Sequence, residues 1–133
     1  MAQVHENSNK SKSNNGKTFE EEFSQMTGLI KSRKKDKPFF VNSHGNKQII
    51  DFDFHTYING KKVYVDVSTT FRSDRLKQKS YNGLMYKTYI DKDVEFYMVV
   101  KSFKERGKTK KPILIEGIDK VMQLDDFIKL IST

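Results

Sequence analysis

The sequence predicts an α/β (α+β) fold in which helices flank a central mixed β-sheet. Helical and strand-like patterns follow one another in the order helix, strands, helix, strand, strand, helix. Two alternating segments are joined by Asn59-Gly60, and Asn-Gly in that setting is the strongest short-range signal for a β-hairpin. The chain of 133 residues is long enough for one domain with a real core and too short for two.

Composition excludes several classes of protein. Cysteine is absent, which excludes a disulfide scaffold, a thiolate zinc site and a cysteine nucleophile. No apolar segment approaches the roughly 20 residues needed to span a bilayer, and the chain does not start with a signal-peptide pattern. We therefore expect a cytoplasmic protein with no membrane partner. The net charge of +8 favours an anionic partner such as nucleic acid.

The first ordered element is predicted to be a helix. Residues 1–16 are mostly Asn, Ser and Lys and predict a disordered polar tail, which leaves 17–133 as a single domain. Thr18 and Glu21 fit a capping box. Apolar residues then follow at helical spacing, namely Phe19, Phe23, Met26 and Ile30. The basic segment 31–37 suits the carboxyl end of that helix, before Pro38 stops it.

Strands are predicted next. Residues 39–41 read as a short strand and 42–46 as a turn. A two-residue loop at Asn59-Gly60 would pair 49–58 with 61–69 so that Phe54 faces Val65. One face of this hairpin is then wholly apolar, with Ile50, Phe52, Phe54, Val63, Val65 and Val67.

The opposite face of the same hairpin carries acidic residues. Asp53 is expected directly across from Asp66, Asp51 across from Ser68, and His55 across from Tyr64. Like charges opposite each other destabilise a sheet, and the three carboxylates would lie within roughly 5–8 Å. Either Lys and Arg side chains from a covering helix neutralise them, or they bind a hard cation such as Mg²⁺.

The second half of the chain predicts four further segments. Residues 73–89 predict a helix of weak amphipathicity, and 94–100 predict a strand buried on both faces. A basic loop at 101–111 follows, then a strand at 112–118. Residues 124–131 predict a short closing helix.

Basic side chains are candidates for contact with a phosphate backbone. Segment 101–111 contains six cations and one acid. Phosphate contacts position a protein on nucleic acid without reading its sequence. The candidate nucleic-acid-binding residues are Arg72, Lys104, Arg106, Lys108, Lys110 and Lys111.

The acidic residues resemble the motifs of the PD-(D/E)XK nuclease superfamily, which includes restriction endonucleases and archaeal Holliday-junction resolvases. Segment 16–23 is similar to the family's acidic helix, with Glu20 as its acid and Glu22 as the rival. Asp53 and Asp66 stand where the family has its two strand acids. The resemblance implies a restriction-endonuclease-like fold and DNA phosphodiester hydrolysis. It also implies Mg²⁺, which Mn²⁺ would replace, bound by Glu20, Asp53 and Asp66.

One departure from the family concerns the lysine that follows the second acid. Ser68 occupies its place, and some family members carry that lysine on the next helix instead. Lys77 is then the first candidate, because a helical wheel places it on the inward side near the helix start, and Lys79 is the second. Arg72 is closer in sequence, but its guanidinium stays protonated and is a poor base. If no lysine reaches the site, the protein is a non-catalytic nucleic-acid-binding protein on the same fold.

The segment 68–78 is also similar to the small cleavage subunits of heterodimeric type IIS restriction enzymes. That resemblance implies a separate specificity subunit or a homodimer partner. A structure-specific junction nuclease is the alternative that needs no sequence specificity.

Overall fold

A computed structural model of the protein describes residues 18–105, 107–109 and 114–132. The predicted tail 1–16 lies outside them. The described elements are α1 (residues 18–27), a 3₁₀ turn (Lys34–Asp36), β1 (Phe39–Val41), β2 (Lys47–Ile49), β3 (Phe54–Ile58), β4 (Lys61–Thr70), α2 (Ser73–Tyr89), β5 (Glu95–Ser102), β6 (Lys104–Glu105), β7 (Lys108–Thr109), β8 (Lys120–Gln123) and α3 (Leu124–Ile131).

The central sheet has four strands in the order β3-β4-β5-β8. Strands β3 and β4 are antiparallel, whereas β4 with β5 and β5 with β8 are parallel. Strands β1 and β2 form a separate antiparallel hairpin, and so do β6 and β7. The predicted class, mixed α and β around a mixed sheet, is confirmed. No helix among the described residues is long and apolar enough to cross a membrane.

Both faces of the sheet are covered, so the fold has two cores. Helix α2 covers one face, where Leu76 and Tyr86 pack with Tyr64 and Phe96. Helices α1 and α3 cover the other face with apolar side chains that include Phe19, Phe23 and Phe127. Strand β5 is buried on both faces, as predicted, because it lies between these two layers.

The β3–β4 hairpin has the predicted register, but its apolar face is interrupted. Phe54 pairs with Val65, and Asn59 and Gly60 have φ values of 52° and 81°, as the turn requires. The prediction that Phe52 shares a face with Phe54 is wrong, since they lie in different cores. The chain leaves the ladder at Asp53, whose carbonyl accepts a hydrogen bond of 2.7 Å from the Ser32 amide.

Helix α1 is shorter than predicted. It ends at Thr27, because Gly28 has a φ of 77° and its amide donates to the Ser24 carbonyl at 2.8 Å. Ile30 lies beyond the helix and is exposed, and Met26 in its last turn is exposed as well, so the buried apolar stripe ends at Phe23. Thr18 is already helical, and the residues before it lie outside the described ones.

The predicted strand at 112–118 is wrong in its described part. Residues 114–119 are not a strand and contain a turn at 116–117, and the strand begins only at Lys120. Gly117, with a φ of 88°, bends the chain here and approaches α2. A Cβ atom on Gly83 would lie 2.1 Å from the Gly117 carbonyl oxygen. Helices α2 and α3 have the predicted bounds.

We expect Gly83→Ala to destabilise the protein, although Gly→Ala inside a helix normally stabilises it by roughly 0.5–1 kcal/mol. The new methyl group overlaps the Gly117 backbone, which cannot rotate away. The expected loss in free energy of unfolding is about 1–3 kcal/mol, measured by urea denaturation. Gln78→Ala, at an exposed position of α2, is the control and should change it by less than about 0.5 kcal/mol. An unchanged or higher stability of Gly83→Ala would refute the close contact.

Candidate functional site

The site is built around Asp66, whose side chain on β4 is 0% exposed. Arg75 and Lys79, one turn apart on α2, both reach it. The Arg75 guanidinium donates from Nε to Oδ2 at 2.9 Å and from Nη2 to Oδ1 at 3.3 Å. Lys79 Nζ lies 3.4 Å from Oδ1. The buried carboxylate is therefore held between two cations.

Asp53 is the second acid of the site. Its Oδ2 accepts a hydrogen bond of 3.1 Å from the Val67 amide and lies 3.9 Å from Arg75 Nη2. Burial, and then the charge of Asp66 and a hydrogen bond to it, raise the pKa of Asp53 to about 7. Asp53 therefore keeps its proton up to about neutral pH, because a second acid lies close to it.

Glu20 borders this pair from α1. Lys31 Nζ holds its carboxylate at 2.7 Å, and the charge of Glu20 adds to the rise in the pKa of Asp53. Glu22, the rival acid, is instead 3.3 Å from Lys101. Of the two glutamates, the structure therefore brings Glu20 to the site.

Asp51 does not join the acidic pair as the sequence suggested. Its carboxylate is ion-paired with Lys37, while its backbone carbonyl accepts a hydrogen bond from Lys79. Partial burial works to raise the pKa of Asp51, but the hydrogen bond from Lys37 and the charge of Lys79 bring it below its usual range. The predicted pairing of Asp51 with Ser68 is absent because the ladder stops at Phe54.

Of the two candidate lysines on α2, Lys79 lies at the site. Lys77, which was the first candidate from the sequence, does not. Lys79 is buried on the same helical face as Leu76 and Tyr86, whereas Lys77 is exposed. Arg75 was not among the predicted site residues, although its spacing of four from Lys79 places both on one side of the helix.

The remaining predicted residues lie around the site or away from it. Arg72 is exposed and forms an ion pair of 2.7 Å with Asp74. His55 faces Ser32, whose Oγ is 3.0 Å from its Nδ1. Lys104 and Lys108 are exposed on the β6–β7 hairpin, where the sequence predicted a loop. Arg106, Lys110 and Lys111 lie outside the described residues.

Of the predicted metal ligands Glu20, Asp53 and Asp66, the structure brings only the two aspartates into contact. Among the described residues, no three His, Asp or Glu side chains form a group arranged to hold a metal ion. Glu20 is therefore not placed as a third protein ligand. Mg²⁺ commonly binds one or two carboxylates and completes its shell with water and phosphate oxygens. Asp53 and Asp66 are therefore the described residues that could hold such an ion.

A groove of about 260 Å³ runs beside the acidic pair. The groove is lined by residues of α1, of β4 and of the start of α2. Its polar side chains include Glu20, Ser68, Thr70, Arg72 and Arg75. Two arginines in a groove next to buried acids make a place where an anionic group can approach the acids.

We expect wild-type stability to fall as pH rises from about 4 to about 7 in EDTA. The Asp53 carboxyl loses its proton near 3.8 in the unfolded chain and near 7 in the folded one, so the folded state binds more protons in this interval. Asp53→Asn keeps an acceptor for the Val67 amide but does not titrate. Over this pH range, the free energy of unfolding of Asp53→Asn should therefore fall less than that of the wild type. The difference should be of order 2–4 kcal/mol.

Asp74→Asn is the control for this measurement, made by urea denaturation across the pH range. Asp74 is exposed, and its hydrogen bond to Arg72 lowers its pKa. Its stabilising effect is therefore lost only as pH falls into the acid range, and the variant should follow the wild-type decline above pH 4. Parallel curves for wild type and Asp53→Asn would contradict the assigned titration.

Comparison with known proteins gives no match for this chain. No family model matches it, and neither a curated protein nor a solved structure is significantly similar.

Proposed function

We propose that this protein is a metal-dependent endonuclease that hydrolyses DNA phosphodiester bonds on a restriction-endonuclease-like fold. The observation that carries the proposal is the buried pair Asp53 and Asp66 with Lys79 against it. Two acids and a lysine are the set that the PD-(D/E)XK resemblance implies. Glu20 on α1 borders the same pair, as the family's helix acid would.

Asp53 and Asp66 would hold the metal. A bound divalent cation supplies charge that polarises the scissile phosphate and lowers the pKa of a bound water. Asp53 contributes to this site only when deprotonated, and its raised pKa of about 7 makes cation binding compete with the proton. Metal affinity should therefore increase as pH rises through neutrality.

Lys79 takes the role that the lysine after the second acid has in the family. The hydroxyl of Ser68 donates to the Thr70 carbonyl at 2.8 Å and brings no charge to the site. Lys79 Nζ lies against Asp66 Oδ1 in a buried setting, where a preorganised cation stabilises developing negative charge strongly. The helix thus supplies the cation that the strand lacks.

Arg75 would bind the phosphate group. Its guanidinium contacts Asp66, yet its side chain is 37% exposed and lines the groove beside Ser68. A guanidinium has five N–H donors in a planar fork, so it can hold a carboxylate and still donate to a phosphate oxygen. Specificity would come from a partner subunit or a second copy of the chain, or from the shape of a branched substrate.

A second candidate function is nucleic-acid binding without catalysis. The observation that favours it is the pairing of Asp66 with two cations, since such a cluster is electrostatically satisfied without a metal. The two candidates differ in one property, which is whether the acidic pair binds a divalent cation.

We expect Lys79→Ala to lower cleavage of supercoiled plasmid by about 10²-fold or more, because a preorganised donor at the reacting phosphate is lost. Lys77→Ala is the matched control on the same helix and should cleave at the wild-type rate, since Lys77 is exposed. Reactions contain Mg²⁺ or EDTA, with and without a lysate of the source cells as a supply of partner.

The fold of each variant is checked by circular dichroism before the rates are compared. Ser68→Lys in the Lys79→Ala background should restore part of the rate, because it returns a cation to the strand. Wild-type cleavage by Lys79→Ala would show that Lys79 has no catalytic role. If wild type never cleaves but Ser68→Lys does, the protein is the non-catalytic binder.

We expect Mg²⁺ or Mn²⁺ to raise the melting temperature of the wild type at pH 7.5. An ion at ten times its dissociation constant stabilises the folded state by about 1.4 kcal/mol. Asp53→Asn should lose this effect, whereas Asp125→Asn, at an exposed position of α3, should keep it. Asp66→Asn is less suitable, because it leaves two cations without their buried counter-charge. Equal shifts for wild type and Asp53→Asn would contradict a metal site at this pair.

A further inference from the structure

The β1–β2 hairpin presents an apolar face to solvent. Phe39, Val41 and Ile49 are 51%, 55% and 43% exposed. Phe39 pairs directly with Ile49 across the hairpin. Large apolar side chains grouped on one exposed face of a small strand pair mark an interaction surface.

The hairpin is held firmly, so this face has a fixed direction. Phe40 is buried, and its ring stacks on Tyr89 of α2 with centroids 5.3 Å apart and planes at 6°. The Tyr81 hydroxyl also donates to Gln48 Oε1 at 3.2 Å. Because side chains alternate along a strand, anchoring Phe40 inward points Phe39 outward.

Three lysines on the hairpin or in the turn just before it have no acidic partner among the described residues. Lys34 and Lys35, in the 3₁₀ turn just before the hairpin, are exposed and form no ion pair with any described residue. Lys47 Nζ lies 4.2 Å from the centroid of the Phe39 ring. Protein–protein interface cores are depleted in lysine, whereas phosphate backbones attract it. An exposed apolar face together with lysines that form no described ion pair therefore favours a nucleic-acid partner over a protein partner.

The hairpin is also continuous with the acidic site. A groove of about 460 Å³ between the turn and the hairpin is lined by Lys34, Lys37, Ile49 and Asp51. The Asp51 carbonyl accepts the hydrogen bond from Lys79, which contacts Asp66. The groove beside the hairpin and the acidic pair are therefore linked through one side chain, that of Lys79.

The tip of the hairpin carries polar side chains on a rigid turn. Asn42 Oδ1 accepts hydrogen bonds of 3.0 Å from the amides of His44 and Asn46. Ser43 and His44 are exposed beyond it. Such side chains can hydrogen-bond to base edges, and the major groove of B-DNA admits a two-stranded β-ribbon.

We propose that the β1–β2 hairpin is a duplex-DNA contact that enters the groove next to the cleavage site. Phe39, Val41 and Ile49 contact bases and sugars, and Lys34, Lys35 and Lys47 contact the flanking phosphates. The proposal rests on the proposed nuclease function for its choice of substrate. It adds a second contact surface to the basic segment 101–111.

The charge contribution is tested by fluorescence anisotropy with a labelled DNA duplex, in EDTA, over a range of salt concentrations. Lys34→Gln/Lys35→Gln/Lys47→Gln should reduce the slope of log K against log salt by about 0.9 for each lost phosphate contact. The control is Lys92→Gln/Lys120→Gln/Lys129→Gln, which changes the net charge equally at exposed positions elsewhere. It should leave the slope unchanged.

The apolar contribution is tested with Phe39→Ala, which should weaken duplex binding about fivefold or more, because an apolar contact in the groove is lost. Tyr57→Ala, at an exposed aromatic position on β3, is the control and should bind as the wild type does. The same strands, offered singly, should be affected less than the duplex.

Binding in EDTA does not depend on cleavage, so the two proposals can fail separately. If wild type cleaves DNA but the hairpin variants bind as well as their controls, the hairpin contact is refuted and the nuclease function stands. If the hairpin variants lose binding but no form cleaves, only the nuclease function fails. A change in oligomeric state for Phe39→Ala, measured by sedimentation with DNA binding unchanged, would make the face a protein interface and refute the proposal.

Discussion

The buried carboxylate of Asp66 is the constraint on which the rest of the structure depends. A charge with 0% exposure is tolerated only when it is paired and hydrogen-bonded, and α2 provides both Arg75 and Lys79 for that purpose. This fixes the rotation of α2 about its axis and its distance from β4. The apolar side chains of α2 then fill the core on that face, and Phe40 of the β1–β2 hairpin packs against its far end.

Local signals account for the elements that the sequence predicted well. The Asn59-Gly60 turn sets the β3–β4 register by its own geometry, and the bounds of α2 and α3 follow from helical patterns that their neighbours do not disturb. The errors arise where a distant contact overrides the local pattern. The Ser32 amide draws the Asp53 carbonyl out of the ladder, and Gly117 approaches Gly83 where a strand was predicted.

The residues of the candidate site also divide into those that local sequence signals predict and those that depend on distant contacts. Asp53 and Asp66 could be predicted because a hairpin register places them together, and the structure keeps them in contact even though the ladder ends before Asp53. The choice of Lys79 over Lys77 and the role of Arg75 depend on how α2 is rotated against the sheet. Its weak amphipathicity gave no clear indication of that rotation, because two of its inward side chains are charged.

Because Lys79 lies on α2 and not on β4, its position beside Asp66 depends on how the helix packs. A lysine on β4 would be positioned by the sheet's own hydrogen bonds, whereas Lys79 is positioned by the docking of α2. That docking includes the Gly83–Gly117 approach, where no side chain fits, and the hydrogen bond from Lys79 to the Asp51 carbonyl at the base of the hairpin. The geometry at Asp66 is thus coupled to the hairpin, because Lys79 binds both. A ligand that shifts the hairpin would act on Lys79 through Asp51, and it would thereby move one of the two cations that contact Asp66.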